Sequence, residues 1–217
     1  MRRNTRALVQ FASSMFDLPQ PVVEFGAYQV TGAPGEDLRA FFPGREFIGC
    51  DIRPGPGVDR VQNLEALGFG DATVGTAILL DTLEHVQDPI RAMQEVYRVL
   101  RPGGICIATS VMDLFIHCEP DYWRFTPAAF NHLFREFSET LTGWQGNREK
   151  PHTVFSVGIK APARSFAPEF AALEHAYRRA TRTWYWRIAQ PYYVARDALR
   201  MVQHNNDAAF ELTRKAA

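Results

Sequence analysis

Two carboxylates and a histidine stand where this sequence could do chemistry. Glu24 lies in the apolar run Val22-Val23-Glu24-Phe25-Gly26, and Asp51 closes the run Phe47-Ile48-Gly49-Cys50-Asp51. In an open α/β sheet, an acid about 20 residues or more past the first glycine turn can accept hydrogen bonds from a ribose diol. His117 falls in the loop Met112–Asp121, after a later apolar run and on the side where such sheets bind ligands. An imidazole there can remove a proton from a hydroxyl or an amine, or it is simply a surface histidine. Arg124 suits a carboxylate or phosphate on a substrate, or an ion pair with Glu119 or Asp121. Trp123 and Phe125 read as packing beneath the helix that follows, with a substrate wall as the alternative.

The glycine turn narrows the ligand. A dinucleotide needs Gly-x-Gly-x-x-Gly, so that backbone N–H groups can reach a pyrophosphate at a helix N-terminus. Here the turn reads Gly26-Ala27-Tyr28-Gln29-Val30-Thr31-Gly32, and no Gly-Lys-Ser/Thr occurs anywhere. A nucleoside without a bridging phosphate fits better. A nicotinamide oxidoreductase is disfavoured on the same ground, and by the absence of Tyr-x-x-x-Lys.

The elements that must hold these groups follow from periodicity. Residues 4–16 place Leu8, Phe11, Ala12 and Met15 on one helical face, capped by Asn4 or Thr5 and stopped by Pro19. The opening unit is strand, glycine turn, short helix (Gly35 to Phe42) and strand. Two prolines and two glycines in Arg53–Gly57 turn the chain into a short third strand, Val58 to Val61. Val74 to Leu80 is continuously apolar, as in a strand buried on both faces of a parallel sheet. Asp88-Pro89 starts a helix in N-cap and N1 fashion, with Ile90, Met93, Val96, Tyr97 and Leu100 at helical spacing. Arg101-Pro102-Gly103-Gly104 ends it, and Ile105 to Ser110 is another buried strand. Thr126-Pro127 opens a further helix. Phe137 to Trp144 and Thr153 to Lys160 read as an antiparallel pair. The expected fold is α/β: a doubly wound, mostly parallel, seven-stranded Rossmann-like sheet with a C-terminal antiparallel strand pair. Residues 1–160 form that domain. Residues 161–217 form a helical C-terminal extension, broken at Pro191 and frayed over its last ten residues or so.

Composition sets outer bounds. The chain has 217 residues, 46 % hydrophobic and 22 % charged, with zero formal net charge. No global field favours nucleic acid or an anionic membrane. The extension is nonetheless basic, with nine Lys/Arg and five Asp/Glu in 161–217. Its Arg and aromatic residues, Tyr177 to Tyr193, suit an interaction face, a lid or a homo-oligomer contact. Three cysteines, Cys50, Cys106 and Cys118, without CxxC or a Cys/His metal spacing, read as reduced thiols of a cytoplasmic protein. No metal is expected. The basic start lacks an apolar h-region, and no run of about 18 apolar residues offers an integral membrane segment.

Taken together, Val22–Gly26, Gly49-Cys50-Asp51-Ile52, Leu83-Glu84-His85-Val86 and Arg98-Val99-Leu100-Arg101-Pro102-Gly103-Gly104 resemble the class I S-adenosylmethionine-dependent methyltransferases over roughly residues 20–160. The group is the broad type 11. Asp121-Tyr122-Trp123-Arg124-Phe125-Thr126-Pro127 resembles a DYWRFTP element of a subset of it.

The resemblance implies S-adenosyl-L-methionine as cofactor. Glu24 would orient the first loop and lie near the methionine amino group. Gly26, Ala27 and the adjoining Tyr28 would form the loop against the cofactor, with Gly26 and Ala27 allowing close backbone approach. Asp51 would accept both ribose hydroxyls, and Ile52 would pack on the adenine. Asn63 and Leu64 would meet the adenine edge, and Leu80 and Asp81 would flank the methionine tail. Asp121, Tyr122 and Arg124 would shape the substrate side. The implied reaction is methyl transfer to the oxygen or nitrogen of a small molecule. The sequence departs from the family at Tyr28 and Val30, where glycines are usual. That departure motivates an alternative: a non-catalytic, methyltransferase-like binding or scaffold protein.

Overall fold

The computed structural model describes residues 2–32, 36–147, 149–188 and 208–214. Its centre is made by the two most apolar runs, β4 (Val74–Leu80) and β5 (Leu100–Val111), which pair in parallel, with Ala77, Ile78, Ile105 and Ile107 fully buried. β1 (Val22–Phe25) joins the other edge of β4, followed by β2 (Phe47–Asp51) and the two-residue β3 (Arg60–Val61), all parallel. Beyond β5 the direction reverses: β7 (Lys150–Ile159), β6 (Glu139–Asn147) and β8 (Ala208–Arg214) are antiparallel. The order is β3-β2-β1-β4-β5-β7-β6-β8. The chain winds outward from β1 to β3 and then returns to the other side of β1. The switch point therefore lies between β1 and β4, and the crevice beyond their carboxyl ends is where such a sheet takes ligands.

Helices cover both faces. α2 (Pro89–Val99) and α3 (Pro127–Leu133) lie on one face, contributing Ala92, Met93, Val96, Phe130 and Leu133 to its core. Asp88 accepts from the Arg91 N–H and Thr126 from the Ala129 N–H, each ahead of a proline in the first turn. α1 (Arg3–Met15) and α4 (Ala167–Ile188) share the other face, where Leu8, Ala12 and Phe16 meet Phe170, Leu173 and Tyr177. Phe16 lies 5.7 Å from Phe170, and Phe155 of β7 lies 4.9 Å from Tyr177. The start of the C-terminal extension is thus built onto the same sheet. Its Arg- and aromatic-rich continuation, from Trp184 through Tyr193 and Pro191, falls outside the described side chains and residues.

Three expectations are corrected. The helix expected over 35–42 is, among the described residues, only the 3-10 turn Arg39–Phe41. Glu36 is drawn back onto the Thr31 and Gly32 N–H groups, and Pro43-Gly44 ends the turn before a helix can propagate. The α1 cap is neither Asn4 nor Thr5: the helix begins at Arg3. The Asn4 amide instead bonds Gln145 and Thr153, and the Thr5 hydroxyl donates to the Arg2 carbonyl. The seven strands expected are present as β1–β7, and the terminal segment expected to fray adds an eighth. β6 otherwise offers an unpaired edge, and Ala208–Arg214 satisfies it. No helix of the described residues is long and apolar enough to cross a membrane.

Candidate active site

The first loop is tied to the sheet. The Gly26 and Ala27 N–H groups both donate to the Cys50 carbonyl, at 2.8 and 2.9 Å. They are spent on β2 and unavailable to a phosphate. No helix among the described residues starts at this turn either, so neither feature of a pyrophosphate site is present. Gly26 adopts φ +87°, and a Cβ on it would stand 2.3 Å from the Thr82 hydroxyl. That hydroxyl bridges the Phe25 and Leu80 carbonyls at 3.1 and 3.2 Å, locking the ends of β1 and β4 together.

The two strand-end acids differ sharply. Glu24 is buried near the end of β1. Burial pushes its pKa up to about 8, against a smaller opposing pull from Arg39. Asp51 is only 10 % exposed at its side chain. It accepts from the Tyr28 N–H at 3.3 Å and the Arg53 N–H at 3.0 Å. A carboxylate has about four acceptor positions, so two remain for a diol. Ile52 beside it is 65 % exposed, an apolar face available to a flat ring. Tyr28 leans toward the β2–β3 turn: a Cβ on Gly55 would stand 2.3 Å from its ring, and Arg53 lies over that ring at 4.5 Å. Asn63 is exposed and caps the Glu65 N–H, while Leu64 points into the core.

At the end of β4 the picture changes. Leu80 packs on the α1/α4 core. Asp81, at φ +52°, is held by Arg2, whose Nε donates to it at 2.9 Å, and by the Thr109 hydroxyl at 2.9 Å. Neither partner is visible in the sequence around Asp81. Just beyond it the 3-10 turn Leu83–His85 sets Glu84 inside the protein, where Ser110 donates to one carboxylate oxygen at 2.7 Å. Burial and the neighbouring Asp81 raise the Glu84 pKa. His117 comes over from the loop after β5, and its ring meets that of His85 at 5.1 Å.

The loop 112–124 is fastened by Arg124 and Asp121. Arg124 forks onto both Asp121 oxygens and donates to the carbonyls of Leu114 and Phe115. The Asp121 side chain is fully buried, and its bonds from Arg124, with the His117 N–H, hold its pKa far below the usual carboxylate range. Tyr122 donates its N–H to the Glu84 carbonyl and leaves its ring half exposed. Phe125 packs against Phe130 of α3, whereas Trp123 bonds Val86 through its indole and stays 43 % exposed. Phe115 and Ile116 complete an exposed apolar rim. The structure therefore gathers Glu24, Gly26, Ala27, Tyr28, Asp51 and Ile52 at the ends of β1 and β2. It brings Asp81, His117, Asp121, Tyr122 and Arg124 together at the ends of β4 and β5. Sequence reasoning missed Arg2 and Glu84. An acid flanked by leucine and histidine in a turn was the signal for the second; nothing local signalled the first.

The family described as "Methyltransferase domain" matches residues 31–108. No curated protein matches the chain in sequence. Among solved structures, a possible histamine N-methyltransferase from Thermotoga maritima is 20 % identical with a TM-score of 0.52, covering 72 % of this chain and 91 % of its own. YcgJ of Bacillus subtilis is 14 % identical with a TM-score of 0.54, over 73 % and 99 % of the two chains. The 1,6-didemethyltoxoflavin-N1-methyltransferase of Burkholderia thailandensis, solved with S-adenosylhomocysteine, is 16 % identical with a TM-score of 0.54, over 73 % and 78 %. These likenesses carry the fold. The segment from the first loop into β5 is thus similar to the methyltransferase domain family, and the fold is that of the S-adenosylmethionine-dependent methyltransferases it resembles.

Proposed function

We propose that the protein methylates an oxygen or nitrogen of a small, largely apolar acceptor held under the 112–124 loop. One observation carries the cofactor half of this reading. Glu24 is a buried carboxyl group near the end of β1, one strand from Asp51, and its burial outweighs the pull of Arg39. A buried acid of that kind is matched by a cation and a diol at one ligand's two ends, which S-adenosylmethionine supplies. Asp51 and Ile52 hold the nucleoside end, with Asn63 and Leu64 at its edge. Glu24 holds the ammonium, and Leu80 and Asp81 border the tail.

S-adenosylmethionine contributes an already activated methyl group, so the protein's work is orientation, exclusion of water and management of one proton. The exposed rim of Phe115, Ile116, Tyr122 and Trp123 supplies an apolar seat. Arg124 and Asp121 fix the loop that carries it. His117 stands at the acceptor's reacting atom. Calorimetry with S-adenosylhomocysteine tests the cofactor half. Mass spectrometry of a panel of phenols and amines, incubated with enzyme and isotopically labelled S-adenosylmethionine, tests the acceptor half. Saturable binding and label on one class are expected; no binding at millimolar cofactor product refutes the proposal.

A further inference from the structure

We propose that Glu84, His85 and His117 hold one divalent first-row transition-metal ion at the acceptor side of the crevice. One ligand atom from each lies within 4.8 Å of the others. That is wider than a formed coordination shell, and closing it needs side-chain movements of about an ångström to reach metal–ligand distances near 2.1 Å.

Three details favour an ion over a self-contained hydrogen-bond network. The Pro120 carbonyl lies 2.7 Å from His85 Nδ1. A carbonyl only accepts, so Nδ1 carries the proton and Nε2 keeps its lone pair, as in the carbonyl–histidine–metal arrangement. Glu84 is fully buried; Ser110 satisfies one oxygen, and the other has no partner. His117 Nδ1 is also buried without a hydrogen bond. Asp121 Oδ2 stands 3.2 Å from it, but that oxygen faces the His117 main-chain N–H at 2.9 Å, and the contact with the ring lies outside hydrogen-bonding geometry. A network without an ion would leave two buried polar atoms unpaired, each costing about 1–3 kcal/mol.

The donor set selects the ion's class. Two imidazoles and one carboxylate suit Zn²⁺, Mn²⁺ or Fe²⁺ better than Mg²⁺ or Ca²⁺, which prefer oxygen shells. Three protein ligands leave positions open. The proposal rests on the methyltransferase reading only for what fills them: an oxygen of the acceptor, whose O–H proton the ion makes acidic enough to leave to water. It thereby narrows the acceptor to a hydroxyl compound, and His117 acts through the ion.

The test uses the full chain, stripped with a chelator and titrated calorimetrically with Zn²⁺ and with Co²⁺. One ion per chain is expected, with the visible absorption of nitrogen-ligated Co²⁺. His85→Ala and His117→Ala each weaken binding by about 100-fold or more, while circular dichroism and S-adenosylhomocysteine binding persist. Glu84→Gln, which keeps the shape of the buried side chain, does the same. Absence of a one-to-one site, or wild-type titration by both histidine variants, overturns the proposal. Failure of the methyltransferase reading shows separately, as lost S-adenosylhomocysteine binding with the Co²⁺ spectrum intact.

Discussion

With Glu24 at the ligand's ammonium, as proposed, cofactor binding becomes a proton-release reaction. Its carboxyl is pushed up to about 8 by burial, so the ligand-free protein is mostly protonated there at neutral pH. An ammonium ligand needs the carboxylate. At pH 6 the ionised fraction is about 1 %, and at pH 7 about 9 %, so affinity rises ~10-fold over that unit and each binding event releases roughly 0.9 proton at pH 7. Ionising the group at pH 6 costs about 2.7 kcal/mol of binding energy. The ligand's own α-amino group titrates near 7.7–8.0, which confines the clean window to about pH 6–7. Glu24→Gln resembles the protonated acid. It should bind S-adenosylhomocysteine about as well as wild type at pH 6, fall behind by ~10-fold at pH 7, and release no proton from this site. Calorimetry in two buffers of different ionisation enthalpy counts the protons directly. Stability provides a second sign. A carboxyl raised from 4.5 to about 8 contributes stability fully present below 4.5 and lost as pH rises through 8. Wild-type melting temperature should therefore drop relative to Glu24→Gln across that range. A flat affinity between pH 6 and 7, or an unchanged slope in the Gln variant, refutes the reasoning.

Asp51→Ala removes the two acceptor positions proposed for the ribose and the anchor of the Tyr28 and Arg53 N–H groups; charge-assisted bonds of about 1.5–3 kcal/mol each predict at least ~10-fold weaker S-adenosylhomocysteine binding by calorimetry. Arg124→Ala leaves the buried Asp121 carboxylate without its cation, held only by the His117 N–H, costing about 3 kcal/mol in denaturant unfolding at pH 7, with faster hydrogen exchange over 112–124. The Asp121 pKa is depressed, so its contribution is present above the unfolded carboxyl range and lost as pH falls through the folded value; the Arg124→Ala deficit shrinks in acid. Gly26→Ala combines positive φ with collision against Thr82, and chemical denaturation should report a loss of about 2 kcal/mol or more. Adding Thr82→Ala restores only part of it, because the backbone strain remains.

The strands that build the crevice were legible because burial on both faces leaves an unbroken apolar run, as in Val74–Leu80. α2 and α3 were legible because Asp88-Pro89 and Thr126-Pro127 are local capping chemistry. The positions of Glu24 and Asp51 followed from the strands they close. What escaped was decided far away in the chain. The segment after β1 lost its helix because Glu36 found partners in the turn before it and Pro43-Gly44 cut propagation short. Arg2 reaches Asp81 across 79 positions, and Ser110 reaches Glu84 across 26. No local period encodes such pairs. His85 in the turn after β4 meets His117 from the loop after β5, and side chains drawn from two loops leave no spacing motif.

The strand at Ala208–Arg214 also orders events in time. β6 and β7 form a hairpin whose register runs from Asn147 opposite Lys150 to Glu139 opposite Ile159, a pairing complete soon after Ile159 leaves the ribosome. The outer side of β6 then waits until Arg214, opposite Glu139, has been made. At roughly 5–20 residues per second, that wait lasts several seconds. For that interval the nascent sheet carries an open rim able to recruit a strand from another chain, and Ala208–Arg214 closes it.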